Sequence, residues 1–324
     1  EEQVKQALVQ PSKALPALFI TQYVQAKLWQ AWGIDADTLI GHSMGEYTAA
    51  CLSGVFSFKD ALTIVSKRGE LLDPLSDGSM LSVMLDEASV QPYLDQGLSL
   101  AAVNSQTLCV LSGPVGLIES AQKDLEEKEV QCKRIHISVA GHSSMLDPIL
   151  DEFESFLQTI DYHPPKKKVV SNLTGHWLTD EEAMDPKYWV RHIREPVRFS
   201  DGMSLLLSEE NIPVLLEIGP GNTLVSFARQ HELVTRDNMV TSSMKHPKET
   251  LHDVEFMLLS LGKLWCGGAQ IDWGIFYEGD FQKASIPTYP FEKQKHWVAP
   301  GKMTEALPEG KQALDKWFYQ PSWQ

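Results

Sequence analysis

Residues 38–45 read Thr-Leu-Ile-Gly-His-Ser-Met-Gly. A β-branched and apolar triplet runs without a break into a glycine, a serine and a second glycine. The triplet suits a short buried strand, and the glycines permit a turn too sharp for residues that carry a Cβ. The residues that follow are mostly small (Ala49, Ala50, Leu52) and stop at Gly54, which predicts a helix. Strand, glycine turn and helix in direct succession predict an α/β body with Ser43 at the tip of a G-x-S-x-G turn. Such a turn exposes the serine hydroxyl on a strained backbone. It aims the next N–H, that of Met44, and the positive end of a helix at one point. Ser43-Met44-Gly45-Glu46 also fits a capping box, in which Ser43 closes a helix end and does no chemistry.

Upstream, residues 14–32 place Leu18, Tyr23, Ala26, Leu28 and Trp29 near a 3.6-residue period and end at Gly33, which predicts a long helix. Residues 59–72 predict another. Between 79 and 138 the rhythm changes. Strand-like SMLSVML, LAAVNS, LCVLSG and KRIHISV alternate with helix-like DEASVQPYL and GLIESAQKDLEEK. Strand, helix, two strands, helix, strand is the order of a ferredoxin-like unit. The expected architecture is therefore a hydrolase-like parallel-sheet body, residues 1–78 and 139–245, with a ferredoxin-like subdomain inserted at 79–138. VVSNLT and PVLLEIG supply two further body strands. Residues 246–298 predict one helix and then a mostly irregular linker, and 299–324 a polar linker leading into a following region.

A net charge of −15 argues against nucleic-acid binding, which needs a basic face. The four cysteines (Cys51, Cys109, Cys132, Cys266) form no C-x-x-C pair and lie far apart, so neither a zinc site nor a disulfide framework is expected. No apolar run is long enough to span a membrane and no signal peptide is visible, and the acidic balance is compatible with solubility in cytosol, so a cytoplasmic protein is expected. The chain opens Glu1-Glu2-Gln3, without Met, and reads as a piece of something longer.

Helix 59–72 carries Ala61, Leu62, Ile64, Val65, Leu71 and Leu72 on its apolar stripe. Arg68 falls on the same stripe, four residues after Ile64 and four before Leu72. A guanidinium on a buried face needs an anion. That anion is either a structural carboxylate elsewhere in the fold or the carboxylate of a substrate held in a two-point grip, unless the head reaches water at the edge of the helix. Asn104 and Ser105, at a strand end, are candidates to line the same space. Among ten histidines, His142 stands at the end of an apolar strand, just before a helix opened by Ser143 or Ser144. A helix N-terminus disfavours imidazolium, so His142 is expected to stay neutral, as a base for a serine must. An ordinary helix-entry histidine has the same setting. No carboxylate announces itself as a third member, and a backbone carbonyl is an alternative way to orient the base.

GHSMGEY (42 and 43 within it), Arg68 in KRGELL, and GHSSML resemble the malonyl-type acyltransferase family of fatty-acid and polyketide synthesis. YWVRHIREPVRF (188–199), EIGPGNTL (217–224), IDWGIFY (271–277) and PTYPFEKQKHW (287–297) resemble signatures of its modular type I polyketide synthase branch. The resemblance implies that Ser43 is the acylated nucleophile, His142 its base, and Arg68 the residue that binds the free carboxylate of malonyl. It implies the Met44 N–H as one oxyanion donor and the His192 backbone carbonyl as the group that orients the base. Asn222 supports the same region, and His42 lies near the acyl pocket. It implies no resident cofactor or metal; the substrate is malonyl-CoA and the acceptor is the phosphopantetheine of an acyl carrier protein. YPFEKQKHW resembles the linker after the acyltransferase, and KWFYQPSWQ (316–324) the first strand of a ketoreductase-type region. The implied parent is a homodimeric synthase with neighbouring ketosynthase and ketoreductase-type domains.

Two departures bear on function. Relatives carry a glutamine-containing glycine turn that supplies the other oxyanion donor, and no counterpart stands in this sequence. The chain on its own is therefore expected to be weakly active or inactive. Malonyl-selective relatives read HAFH at the histidine and methylmalonyl-selective ones YASH, whereas residues 139–142 read Val-Ala-Gly-His. Gly141 in place of phenylalanine enlarges the pocket, while Met44 looks more like the malonyl group. Malonyl is the favoured unit, with methylmalonyl or a larger branched unit as the alternative. A serine hydrolase of α/β type and a non-catalytic scaffold are the rival classes; the first predicts a carboxylate partner for the histidine and no buried cation.

Overall fold

The computed structural model describes residues 7–75, 77–135, 139–209, 214–276 and 284–294. Helix α1 (Pro11–Ala31) begins with a proline at its first position and ends where Gly33 takes φ +84°. Strand β1 (Thr38–Ile40) leads into the serine turn, followed by α2 (Gly45–Ser53). Helix α3 (Phe58–Leu72) is capped by the Ser57 side chain, which accepts the Asp60 N–H. It buries Ala61, Ile64, Val65, Leu71 and Leu72, and Arg68 with them. Gly69 lets α3 lie directly on α1, since a Cβ there would stand 2.6 Å from the Pro11 carbonyl oxygen.

The insertion follows: β2 (Gly78–Val83), α4 (Gln91–Leu94), β3 (Ser99–Ser105), β4 (Leu108–Pro114), α5 (Val115–Glu127) and β5 (Cys132–Ile135). Its sheet order is β3-β4-β2-β5 with every pair antiparallel, which is the ferredoxin-like arrangement. Leu81, Leu111, Ile118 and Leu125 are fully buried in its own core. The helix expected over 86–94 is shorter, because Pro92 is confined to the first turn of a helix and residues before Val90 form turns. The chain leaves the body at Gly78 and returns at Ala140, and these ends touch: a Cβ on Gly78 would lie 2.3 Å from the Ala140 nitrogen. The last residues of the KRIHISV segment, 136–138, fall outside the described set.

The body resumes with a 3₁₀ turn (Ser144–Leu146), α6 (Asp147–Leu157) and β6 (Lys168–Val170). Strand β6 pairs parallel with β1. Helices α7 (Asp180–Met184), α8 (Pro186–Arg194) and α9 (Phe199–Leu207) follow, none of them predicted from the sequence. Next come β7 (Leu215–Glu217), α10 (Thr223–Gln230) and β8 (Val240–Ser242), with β7 and β8 again parallel. Insertion and body share a cluster of Ala101, Ala102 and Val110 with Val170, Val197 and Phe199.

Helices α11 (Asp253–Cys266) and α12 (Trp273–Phe276) lie within the expected linker region. Leu261 and Leu264 pack on Trp29 of α1. The compact unit runs to Glu278, and a second begins at Gly279. Within that second unit, residues 284–294 form no regular element, and the Tyr289 and Phe291 rings stand 5.0 Å apart. The segments expected at 295–298 and 299–324 lie outside the described residues. Among the described residues, no helix is long and apolar enough to cross a membrane.

Candidate active site

Ser43 sits between β1 and α2 with φ +51°, in the left-handed region that side-chain-bearing residues rarely occupy. The two flanking glycines act differently. A Cβ on Gly41 would lie 2.1 Å from the Glu46 nitrogen, so only glycine fits there; around Gly45 there is open space. The N–H groups of Gly45, Glu46 and Tyr47 turn back onto the carbonyls of His42, Ser43 and Met44. The Met44 N–H stands outside that set, at the front of α2. No capping box forms, because no side chain caps α2 and the Ser43 hydroxyl faces elsewhere.

It faces His142, whose Nε2 lies 2.6 Å from Ser43 Oγ. His142 Nδ1 lies 2.8 Å from the Glu195 carbonyl oxygen. A carbonyl can only accept, so Nδ1 carries the proton and Nε2 is left as the acceptor for the serine O–H. This corrects the expectation for His192: the orienting carbonyl belongs to Glu195, just past the end of α8, where the chain leaves the helix and its carbonyl is free to turn toward the ring. His142, like Ser43, holds a left-handed backbone, φ +55°. Burial lowers the His142 pKa well below the ordinary histidine value, and the Arg68 charge pushes it further down against the bond to Glu195. The ring is therefore neutral at pH 7, more from burial than from the helix end that the sequence suggested.

Arg68 is 5% exposed. Its Nε and Nη1 are buried without a hydrogen-bond partner among the described residues, and the guanidinium lies 5.5 Å from the centre of the Tyr47 ring. Burial lowers its pKa, although an arginine remains charged. Asn104 engages His42 instead, with Oδ1 2.7 Å from His42 Nε2. The His42 ring rests against Phe199 (5.4 Å) and Phe227 (6.1 Å). Phe227 belongs to α10, the helix that Asn222 opens. The Asn222 carbonyl accepts from Ser226 within that helix, so its link to the site runs through Phe227. Val139 and Met44 lie in one buried cluster. A Cβ on Gly141 would meet only Met80 Sδ, at 3.9 Å.

Behind the serine lies a polar cluster that sequence reasoning missed. Glu46 is fully buried. Its Oε2 accepts the Asn172 N–H at 2.7 Å, and its Oε1 accepts the Tyr188 hydroxyl. Burial and Glu46 together raise the Tyr188 pKa, keeping the phenol protonated as a donor. Ser171 Oγ lies 2.7 Å from the same hydroxyl. His192 Nε2 is 3.4 Å from Glu46 Oε2 but is not aimed as a hydrogen bond; neither ring nitrogen has a hydrogen-bond partner among the described residues. The signal was available: Glu46 is the one charge in GEYTAACLS, a helix with small residues on every side.

A serine in a strained strand–helix turn, a histidine held by a carbonyl and a buried guanidinium that no carboxylate pairs among the described residues together define a serine-dependent acyl-transfer enzyme of the α/β class. Residues 2–269 match the acyl transferase domain family. The chain is 36% identical over 288 residues to a phenolphthiocerol/phthiocerol polyketide synthase polypeptide of Mycobacterium tuberculosis, covering 89% of this chain and 19% of that protein. Among solved structures, it matches the acyltransferase domain of the second module of the salinomycin polyketide synthase at TM-score 0.80 and 33% identity, covering 87% of this chain and 67% of that one. It matches the acyl transferase domain of SpnD in complex with 2-(pent-4-yn-1-yl)malonyl at TM-score 0.76 and 40% identity, covering 80% of this chain and 63% of that one. The chain belongs to the acyl transferase domain family, in the form found in type I polyketide synthases. It spans about a fifth of the length of the mycobacterial relative.

Proposed function

We propose that this chain transfers a carboxylated acyl unit, with malonyl preferred over branched units, from coenzyme A to the phosphopantetheine thiol of an acyl carrier protein. The observation that carries this reading is the buried Arg68, two of whose guanidinium nitrogens have no hydrogen-bond partner among the described residues, beside a Ser43–His142 pair at 2.6 Å. Ser43 Oγ attacks the thioester carbonyl as His142 Nε2 takes its proton, and the Met44 N–H faces the developing oxyanion. The carbon–sulfur bond breaks and coenzyme A leaves as the thiol, with the proton returned from His142. The carrier thiol then attacks the acyl-serine by the reverse sequence. Arg68 grips the distal carboxylate in both steps and so places the carbonyl on Ser43. Ser43, His142 and Arg68 act on substrate; His42, Val139 and Gly141 shape the acyl pocket, and Asn222 and His192 support it from behind.

In this reading the longer polypeptide is a cytoplasmic homodimer that places ketosynthase and ketoreductase-type domains beside the acyltransferase. The group on His142 Nδ1 is a carbonyl rather than a carboxylate, which favours transfer over the hydrolase alternative. Exposure of the protein to equal malonyl-, methylmalonyl- and acetyl-CoA, followed by intact mass, tests the reading. The expected product is a malonyl ester lost in Ser43→Ala. Free malonate released with no acyl-enzyme would instead indicate a hydrolase, and no reaction even as part of the longer polypeptide a scaffold.

A further inference from the structure

We infer that Asn172 is a positioning residue, whose side-chain amide holds the serine turn in its reactive shape. The inference rests on the proposed acyl transfer only for the identity of the acyl donor. Asn172 is 1% exposed and follows the end of β6 by two residues. Its Oδ1 accepts the Ser43 N–H at 2.7 Å, and its Nδ2 donates to the Gly41 carbonyl at 2.9 Å. One planar amide thus staples both peptide planes that flank His42. Only this orientation of the amide satisfies both backbone groups, since one is a donor and the other an acceptor.

The staple stands on a fixed base. The Asn172 N–H is held by Glu46 Oε2, and its carbonyl accepts the Arg198 N–H at 2.7 Å. Ser43 needs such a hold because φ +51° is disfavoured for a residue with a Cβ. With the peptide planes free, the turn relaxes. The hydroxyl then leaves His142, and the Met44 N–H leaves the oxyanion. Small displacements of this kind are costly to rate. A residue that merely filled space would affect stability and leave the reactivity of folded molecules unchanged.

The test uses the chain at full length with two reagents. Phenylmethanesulfonyl fluoride is small and neutral and reports Ser43 reactivity without calling on Arg68; malonyl-CoA reports the proposed acylation. Asn172→Asp keeps an acceptor for the Ser43 N–H but, when ionised, sets an oxygen against the Gly41 carbonyl. Sulfonylation per folded molecule is expected to fall about 100-fold at pH 8, with malonyl-CoA acylation falling alongside it in kcat rather than KM. As the pH is lowered, the introduced carboxyl gains a proton, can donate to the Gly41 carbonyl, and the rate should recover. The titratable groups around it are Glu46 from α2, with Tyr188 and His192 of α8 beside that carboxylate, and His42 and His142 at the serine turn. Glu46 favours protonation at a higher pH than for a free carboxyl. The unmodified chain should show the opposite trend, slowing as His142 protonates. Asn172→Ala should lose about tenfold at every pH with no recovery, and it carries the test if Asn172→Asp does not fold. Sulfonylation within about threefold of the unmodified chain in a folded variant overturns the inference, as does an Asn172→Asp pH profile parallel to it. Sulfonylation that depends on Asn172, with no malonyl taken up by Ser43 even as part of the longer polypeptide, would leave this inference standing and remove the proposed function.

Discussion

Two buried charges lie near the nucleophile, and the fold treats them in opposite ways. Glu46, behind Ser43, accepts a backbone N–H and a phenol and has an imidazole close by. Arg68 has two guanidinium nitrogens with no hydrogen-bond partner among the described residues. Burying a polar group without a partner is costly, so a fold that meets every demand of one charge and neglects another is not failing at both. The carboxylate belongs to the frame of the site. In the proposed function the guanidinium is left for an anion that arrives with the substrate.

Substitutions can break this contrast. Glu46→Ala should cause the largest loss, about 3 kcal/mol or more of stability, since it strands the Asn172 N–H and the Tyr188 hydroxyl. Denaturant unfolding measures it, and a loss under about 1 kcal/mol would remove Glu46 from the frame. Arg68→Ala should show the reverse pattern. Malonyl transfer falls about 100-fold as a charge-assisted grip is lost, while stability stays within about 1 kcal/mol or rises. An unfolding cost as large as that of Glu46→Ala would mean that Arg68 has a structural partner. Acetyl transfer should be retained or improved in the same variant.

A smaller effect sharpens the electrostatics. Arg68 is one of the charges that depress His142, so Arg68→Ala should move the acid limb of sulfonylation toward higher pH. In the unmodified chain that limb should lie well below pH 6.5. The smallest expected effect is on stability against pH. A histidine held neutral in the fold binds its proton more readily when unfolded, so its contribution is present above the unfolded pKa and is lost as the pH falls below it. Thermal melts across that range measure the slope, which should be shallower in His142→Gln.

The strand–turn–helix around Ser43, the βαββαβ order of the insertion and the misplaced charge at position 68 were legible because each is a local pattern of spacing or burial. The partner of His142 was not. Glu195 contributes a carbonyl, which every residue has, so nothing in its side chain announces the role. Asn172 was hidden for a related reason: VVSNLT reads as a strand, yet β6 stops at Val170, and only the pairing of β6 with β1 brings the amide under the turn. Helices α7 to α9 escaped notice because they are only five to nine residues long, too few for a periodic apolar stripe to stand out in the sequence.

The most direct test of the account is the peptide mass of residue 43 after brief exposure to malonyl-CoA, comparing the unmodified chain with Arg68→Ala. The account expects a malonyl ester on Ser43 that disappears in the variant, which should still accept acetyl from acetyl-CoA. Equal malonyl occupancy in both proteins, or malonyl on any other side chain, would contradict it.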